Sequence, residues 1–155
     1  MHKQLVTIQR IYKEEKELVI DLFNQYRVFY KQESDSAIAD YFITQRLSNN
    51  ESVIFVALID ERPVGFTQLY PTYSSMRVSK NWILNDLYVE PAFRKGGIGK
   101  ALIEAAMHYA KGDGATWLAL STAVDNKTAQ SLYEAMGFIK KEPDTSFFDY
   151  RISFI

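Results

Sequence analysis

The 155-residue sequence has no cysteine. A disulfide framework, Cys-ligated zinc, an iron–sulfur cluster and a thiol nucleophile are therefore excluded. With only two histidines, no metal site is expected. The absence of cysteine fits a reducing cytoplasm. Proline and glycine are sparse: four Pro and seven Gly stand scattered as punctuation, with no repeat, linker or low-complexity tract. Neither charge sign is in excess. Eighteen Lys and Arg face nineteen Asp and Glu, for a net charge of -1. That balance argues against a nucleic-acid binder that neutralises phosphates over a broad basic face. The longest apolar run, Val53 to Ile59, is far too short to span a bilayer. Met1-His2-Lys3-Gln4 leads into an alternating stretch, so neither a secretory leader nor a membrane segment is expected.

What is present is ordinary globular material: 47% apolar, 24% charged and 14% aromatic residues, with ten Tyr and ten Phe. One domain over residues 1–155 is expected. Leu5, Ile8 and Ile11 suggest a strand over about 4–11. Charged residues 13–17 start a helix whose Leu18, Leu22, Tyr26 and Phe29 share one face. Ser34-Asp35-Ser36 caps a second helix that carries Ile38, Tyr41, Phe42 and Leu47. Residues 53–59 and 64–70 read as a hairpin around Asp60-Glu61-Arg62-Pro63, and 82–89 as a further strand stopped by Pro91. A helix from Gly97 to about Lys111, a strand over 116–120, a helix capped by Asp125 or Asn126 and a last strand over 147–154 complete the order. This predicts an α/β (α+β) fold: a mixed, mostly antiparallel, twisted sheet of six to seven strands with helices on both faces.

The informative stretch is Leu87-Tyr88-Val89-Glu90-Pro91-Ala92-Phe93-Arg94-Lys95-Gly96-Gly97-Ile98-Gly99-Lys100. A buried strand ends, a basic turn follows, and three glycines open an amphipathic helix. Helix N-termini leave main-chain N–H groups unpaired and carry partial positive charge. Glycines let a phosphate approach those amides, and Arg94, Lys95 and Lys100 add cationic side chains. Two phosphate motifs fail on spacing: the first glycine of a Walker loop is replaced by Arg94, and the third small residue of a dinucleotide fingerprint is Leu102.

Arg94-Lys95-Gly96-Gly97-Ile98-Gly99-Lys100 resembles the Arg/Gln-x-x-Gly-x-Gly/Ala signature of the GNAT superfamily of N-acetyltransferases. Downstream, Asn126-Lys127-Thr128-Ala129-Gln130-Ser131-Leu132-Tyr133-Glu134-Ala135-Met136-Gly137-Phe138 is similar to that family's Asn-x-x-Ala-x-x-x-Tyr-x-x-x-Gly-Phe segment. The resemblance implies acetyl-CoA as acyl donor and a splayed central strand pair, one strand ending at Val89 and the other near Ser121. It implies pantetheine pairing with backbone groups of Leu87 and Val89. The pyrophosphate would lie on the amides of Lys95, Gly96, Gly97, Ile98, Gly99 and Lys100. Asn126 would bond the pantetheine arm, and Tyr133 would protonate the departing thiolate. Read as residues alone, Asn126 is also a helix N-cap and Tyr133 also a core tyrosine.

The implied reaction is acetyl transfer to a primary amine by direct attack, with the amine's proton passed to a carboxylate or a water chain. Trp82-Ile83-Leu84-Asn85-Asp86-Leu87-Tyr88-Val89 resembles the diamine/polyamine branch, spermidine/spermine acetyltransferases included. Asn85 stands where that branch has its catalytic Glu. Asp86 is retained, either to bind a cationic substrate or accept its proton, or as a strand-end ion-pair partner. Glu33 and Asp35, with Tyr26, Phe29 and Tyr30 as walls, are candidates for an amine pocket, although such aromatics also serve as core. His108 reads as a structural or surface residue. A non-catalytic acyl-CoA sensor and a protein N-acetyltransferase are the alternative functions. The apolar C-terminal stretch, Phe147 to Ile155, suits either a homodimer interface or the edge of its own sheet.

Overall fold

A computed structural model describes residues 5–155, which divide after Ser121 into two compact units. The first unit contains, in chain order, β1 (Val6–Ile11), α1 (Ile20–Phe29), α2 (Ser36–Ser48), β2 (Val53–Ile59), β3 (Arg62–Ser74), β4 (Ser79–Val89), α3 (Ile98–Gly112) and β5 (Leu118–Ala119). The second contains α4 (Lys127–Ala135). Short 3-10 turns, Lys13–Leu18 and Pro91–Phe93, lead into α1 and toward α3. Gln4, at the start of the expected first strand, lies outside the described residues.

The sheet runs β1-β2-β3-β4-β5, antiparallel up to β4 and parallel between β4 and β5. The β2–β3 hairpin turns on Asp60 and Glu61, both left-handed at φ 50° and 65°. Two left-handed residues match the twist of the flanking strands. Pro63, which cannot donate to a ladder, sits opposite Leu58 where the register shifts. Side-chain alternation then makes two cores. Ile54, Val56, Leu58, Phe66 and Tyr88 pack against Val19, Leu22, Phe23, Ala39 and Ile43 of the α1/α2 layer. Ala57, Ile59 and Val64 pack against Ile98 and Leu102 of α3 on the other face. Helices therefore cover both faces, as expected.

Three expectations are corrected. The sheet of the described residues has five strands and not six or seven. Residues 147–154 form no strand: Phe147, Phe148 and Phe154 stand 76, 88 and 90% exposed. Alternation supplies two faces, but a strand exists only where a ladder partner takes up its N–H and C=O groups. The strand expected over 116–120 shrinks to β5 because the amides of Thr116 and Trp117 donate to Asn81 Oδ1, at 2.8 and 3.0 Å. On α2 the buried residues are Ala39 and Ile43, while Ile38 and Tyr41 are exposed. Its cap is as read, with Asp35 Oδ1 accepting from the Ile38 amide at 3.1 Å.

Candidate active site

The β4–β5 ladder consists of Trp82↔Leu118 and Ile83↔Ala119. β4 then continues to Val89, still paired with β3 but with no strand on its other edge among the described residues. That edge carries Leu87 and Val89 and ends at the turn before α3. Pro91 opens the turn, Lys95 (φ 67°) and Gly97 (φ 85°) take left-handed backbone, and Gly97 is the N-cap of α3. The first helical bond runs from the Ala101 amide to Gly97 O at 3.0 Å. The amides of Ile98, Gly99 and Lys100 therefore precede the helix's own acceptors. A Cβ at Gly97 or Gly99 would meet nothing within 4 Å, and one at Gly96 only Phe93 O at 3.7 Å. Space, orphan donors and a 15-residue helix dipole coincide there. These residues fit the diphosphate of coenzyme A.

The cationic side chains serve this turn unequally. Lys95 and Lys100 are exposed, with Lys100 3.9 Å from Glu104. Arg94 turns back: its Nε donates to Val89 O at 2.8 Å and its guanidinium lies 5.5 and 5.4 Å from the Phe29 and Tyr88 ring centres. The Val89 carbonyl is thus already engaged.

On the α1 side of the sheet lies a polar cluster. Gln68, which is fully buried, pairs with Asp86 across β3 and β4, and β4 inserts Asn85 as an extra residue before Leu84 meets Leu69. The bulge brings neighbouring side chains together, so that Asn85 Nδ2 donates to Asp86 Oδ1 at 2.8 Å. Gln68 Nε2 donates to Oδ2, and Tyr26 of α1 adds a third side-chain bond. Asp86 is 3% exposed and forms no ion pair with a described residue, so it is no strand-end salt-bridge partner. Burial pushes its carboxyl above the ordinary 3.8, and the bonds from Gln68, Asn85 and Tyr26 draw it part of the way back. Burial and the Asp86 charge raise the Tyr26 phenol well above its ordinary value and push Tyr70 up to about 12. Both phenols are donors at neutral pH.

Of the expected pocket walls, only Tyr26 reaches this cluster. It packs on Phe66, with ring centres 5.8 Å apart. Tyr30 is 58% exposed and stacks edge-on against Tyr26 and Phe29, at 5.0 and 5.2 Å. Glu33 is exposed in the α1–α2 loop and Asp35 is spent on its cap. His108 is exposed on α3. In the second unit, Asn126 Oδ1 caps α4 by accepting from the Ala129 amide at 3.1 Å. Tyr133 sits on the half-buried face of α4, its ring centre 6.1 Å from that of Phe138. Two cavities, of about 280 and 300 Å³, lie elsewhere: one beside Arg10, Tyr12, Asn50 and Ser52, the other beside Tyr109 and Asp113. Neither coincides with the α3 turn or Asp86. The candidate site is the turn, where the donor groups are, together with the buried charge at Asp86.

Sequence reading missed Ser52, Gln68 and Tyr70, as well as Gly65. The available signal was a polar residue at an inward position of an otherwise apolar strand.

The model of the Acetyltransferase (GNAT) family matches residues 9–138. An uncharacterized N-acetyltransferase of Bacillus subtilis, YhfO, is 48% identical over 132 residues, covering 85% of this chain and 87% of that one. The crystal structure of a probable acetyltransferase superposes with a TM-score of 0.83 at 37% identity, covering 95% and 97% of the two chains. An aminoglycoside N-acetyltransferase, AAC(6')-Iy, solved in complex with CoA, shares the fold at a TM-score of 0.79 and 22% identity over 97% and 98% of the chains. With a family match over most of its length and near-half identity to a bacterial relative, the chain belongs to the acetyltransferase (GNAT) family and is an N-acetyltransferase that uses acetyl-CoA as its acetyl donor.

Proposed function

We propose that the acceptor is a small primary amine of the diamine or polyamine kind, and that Asp86 receives its ammonium. One observation carries this reading: Asp86 is a buried carboxylate surrounded by neutral donors, with no cation paired to it among the described residues. Buried charges are ordinarily paired, and a site built for one sign binds the opposite sign strongly. The resemblance of Trp82–Val89 to the polyamine branch supports the same class, and Tyr26 and Tyr30 offer π faces to a cation nearby.

Acetyl-CoA, when bound, supplies a thioester carbonyl open to attack by a neutral amine. The amides at the head of α3 hold the diphosphate, and the free edge of β4 offers Leu87 and Val89 to the pantetheine arm. For Val89 this pairing uses its N–H, or displaces Arg94 from its carbonyl. Asp86 first attracts the ammonium and then takes its proton. Its raised pKa suits that second role, because a base nearer neutrality accepts a proton more readily. For the second unit the family resemblance alone implies roles: Asn126 as a partner of the pantetheine arm and Tyr133 as the acid for the departing thiolate.

The test is thiol release from acetyl-CoA against a panel of diamines, polyamines, aminoglycosides, amino acids and peptide N-termini. Diamines or polyamines are expected to be turned over best, with Asp86→Asn raising the amine KM and lowering kcat by about a hundredfold or more. Tyr133→Phe should lower kcat by a similar factor while the acetyl-CoA Kd stays constant. A preference for peptides, or a fully active Asp86→Asn, would refute the assignment. Binding of acetyl-CoA without thiol release for any amine would point to a sensor.

A further inference from the structure

The row of polar side chains on the α1 face extends beyond Asp86. In the antiparallel register Ile54 lies opposite Gln68, and Gln68 opposite Asp86. Ser52 precedes Ile54 by two residues, so it lies on the same face and diagonal to Gln68. Its hydroxyl donates to Gln68 Oε1 at 2.8 Å, and Gln68 Nε2 donates in turn to Asp86 Oδ2. Ser52, Gln68 and Asp86 are 8, 0 and 3% exposed. An amide has one donor end and one acceptor end, whereas an ionised carboxylate only accepts. With Nε2 committed to Asp86, the Gln68 carbonyl must point toward β2, where a buried acceptor without a donor is costly. The Ser52 hydroxyl is the donor that meets it.

We propose that Ser52 is a positioning residue for acetyl transfer: its hydroxyl, by holding Gln68 Oε1, keeps the amide nitrogen on Asp86 Oδ2 and the carboxylate in a single orientation. The proposal rests on the role given to Asp86 above. The groups that face Asp86 are Tyr26 from α1, Tyr70 and Gln68 from β3, and Asn85 from β4. Arg46 of α2 and Glu51 act on Tyr70, one step removed. Since the Gln68 bond is the largest of those that stabilise the charged carboxylate, loosening it moves the acid limb of the rate profile upward in pH.

The experiment is the pH profile of kcat/KM for the best amine, at saturating acetyl-CoA, for the full chain and four variants. Ser52→Ala should shift the acid limb up and cost about three- to tenfold on its acid side. Gln68→Met, which keeps the volume and removes the donor, should shift it further in the same direction. Ser52→Thr should restore the wild-type limb, since position 52 borders the cavity of about 280 Å³ and has room for a methyl group. The acetyl-CoA Kd should be unchanged throughout. A wild-type profile for a folded Ser52→Ala, or a Ser52→Thr no better than alanine, would overturn the proposal. If Ser52→Ala does not fold, a wild-type acid limb in Gln68→Met overturns it instead. Asp86→Asn separates the two levels. Wild-type activity in that variant removes the role of Asp86 and this inference with it, whereas an inactive Asp86→Asn beside an unaltered Ser52→Ala removes only Ser52.

Discussion

At the scale of single residues, two positions matter because of what they leave open. Gly97 combines a left-handed backbone with a site where a side chain would meet no neighbour within 4 Å. Gly97→Asp should therefore leave the packing of α3 largely intact. It would strain the turn modestly and set a carboxylate where, on the function proposed above, the donor's diphosphate lies. Calorimetry should find coenzyme A affinity lowered by about two orders of magnitude or more, while circular dichroism stays near wild type. Asn85 is the second position. Its amide donates to Asp86, so the two neighbours hold a single carboxylate with its charge stabilised, where an acid at 85 would make a repelling pair.

At the scale of elements, the site depends on how closely β3, β4 and α3 approach one another. Gly65 makes that approach possible: an added Cβ would stand 2.9 Å from Tyr88 O, 3.2 Å from Val89 Cγ2 and 3.4 Å from Leu102 Cδ1. The first contact is with backbone, which cannot move aside as a flexible side chain would. Gly65→Ala should destabilise by about 1–3 kcal/mol and lower Tm by several degrees in a thermal melt. It should also weaken donor binding, because the Val89 end of β4 shifts relative to the head of α3. A second tie fixes the same end of β4. Gln25 of α1 accepts from Tyr88 Oη at 3.1 Å and donates to Glu90 at 3.0 Å, and Glu90 also accepts from Arg62 at 3.1 Å.

At the scale of the whole chain, a net charge of -1 hides carboxylates of opposite behaviour. Asp40, bonded by Lys16 and Thr44, and Asp113, bonded by Trp82 and Lys80, are held below the ordinary 3.8. Their stabilisation is present above that value and is lost as pH falls through their folded pKa values. Lys16, raised above 10.5 chiefly by its bond to Asp40, contributes below that value and is lost as pH rises through its folded pKa. Asp86 has the opposite sign. Its folded pKa lies above 3.8, so its ionised form opposes folding at neutral pH, and the opposition fades as pH falls through the folded value toward 3.8. The Tm difference between Asp86→Asn and wild type should therefore be most favourable to the variant at neutral pH and shrink as pH is lowered through the folded value toward 3.8. A difference independent of pH would show that Asp86 titrates alike in the folded and unfolded chain.

Local patterning was enough to read the β2–β3 hairpin, though the sequence places its turn over residues 60–63 and β3 already starts at Arg62; the caps of α2 and α4 to within a residue; the glycine turn before α3; and the helices on both faces. Each is set by neighbours within a few residues: left-handed turn positions, a capping oxygen, a period of two or 3.6. Pairing across the chain was not legible. Nothing within residues 147–154 reveals whether a ladder partner exists, and nothing within 116–120 reveals that Asn81 captures two amides and cuts β5 short. The candidate site divides in the same way. The glycine turn before α3 is contiguous in sequence and legible there. The cluster around Asp86 gathers Ser52, Gln68 and Tyr26 from separate parts of the chain, and only strand register, one bulge and the docking of α1 bring them together.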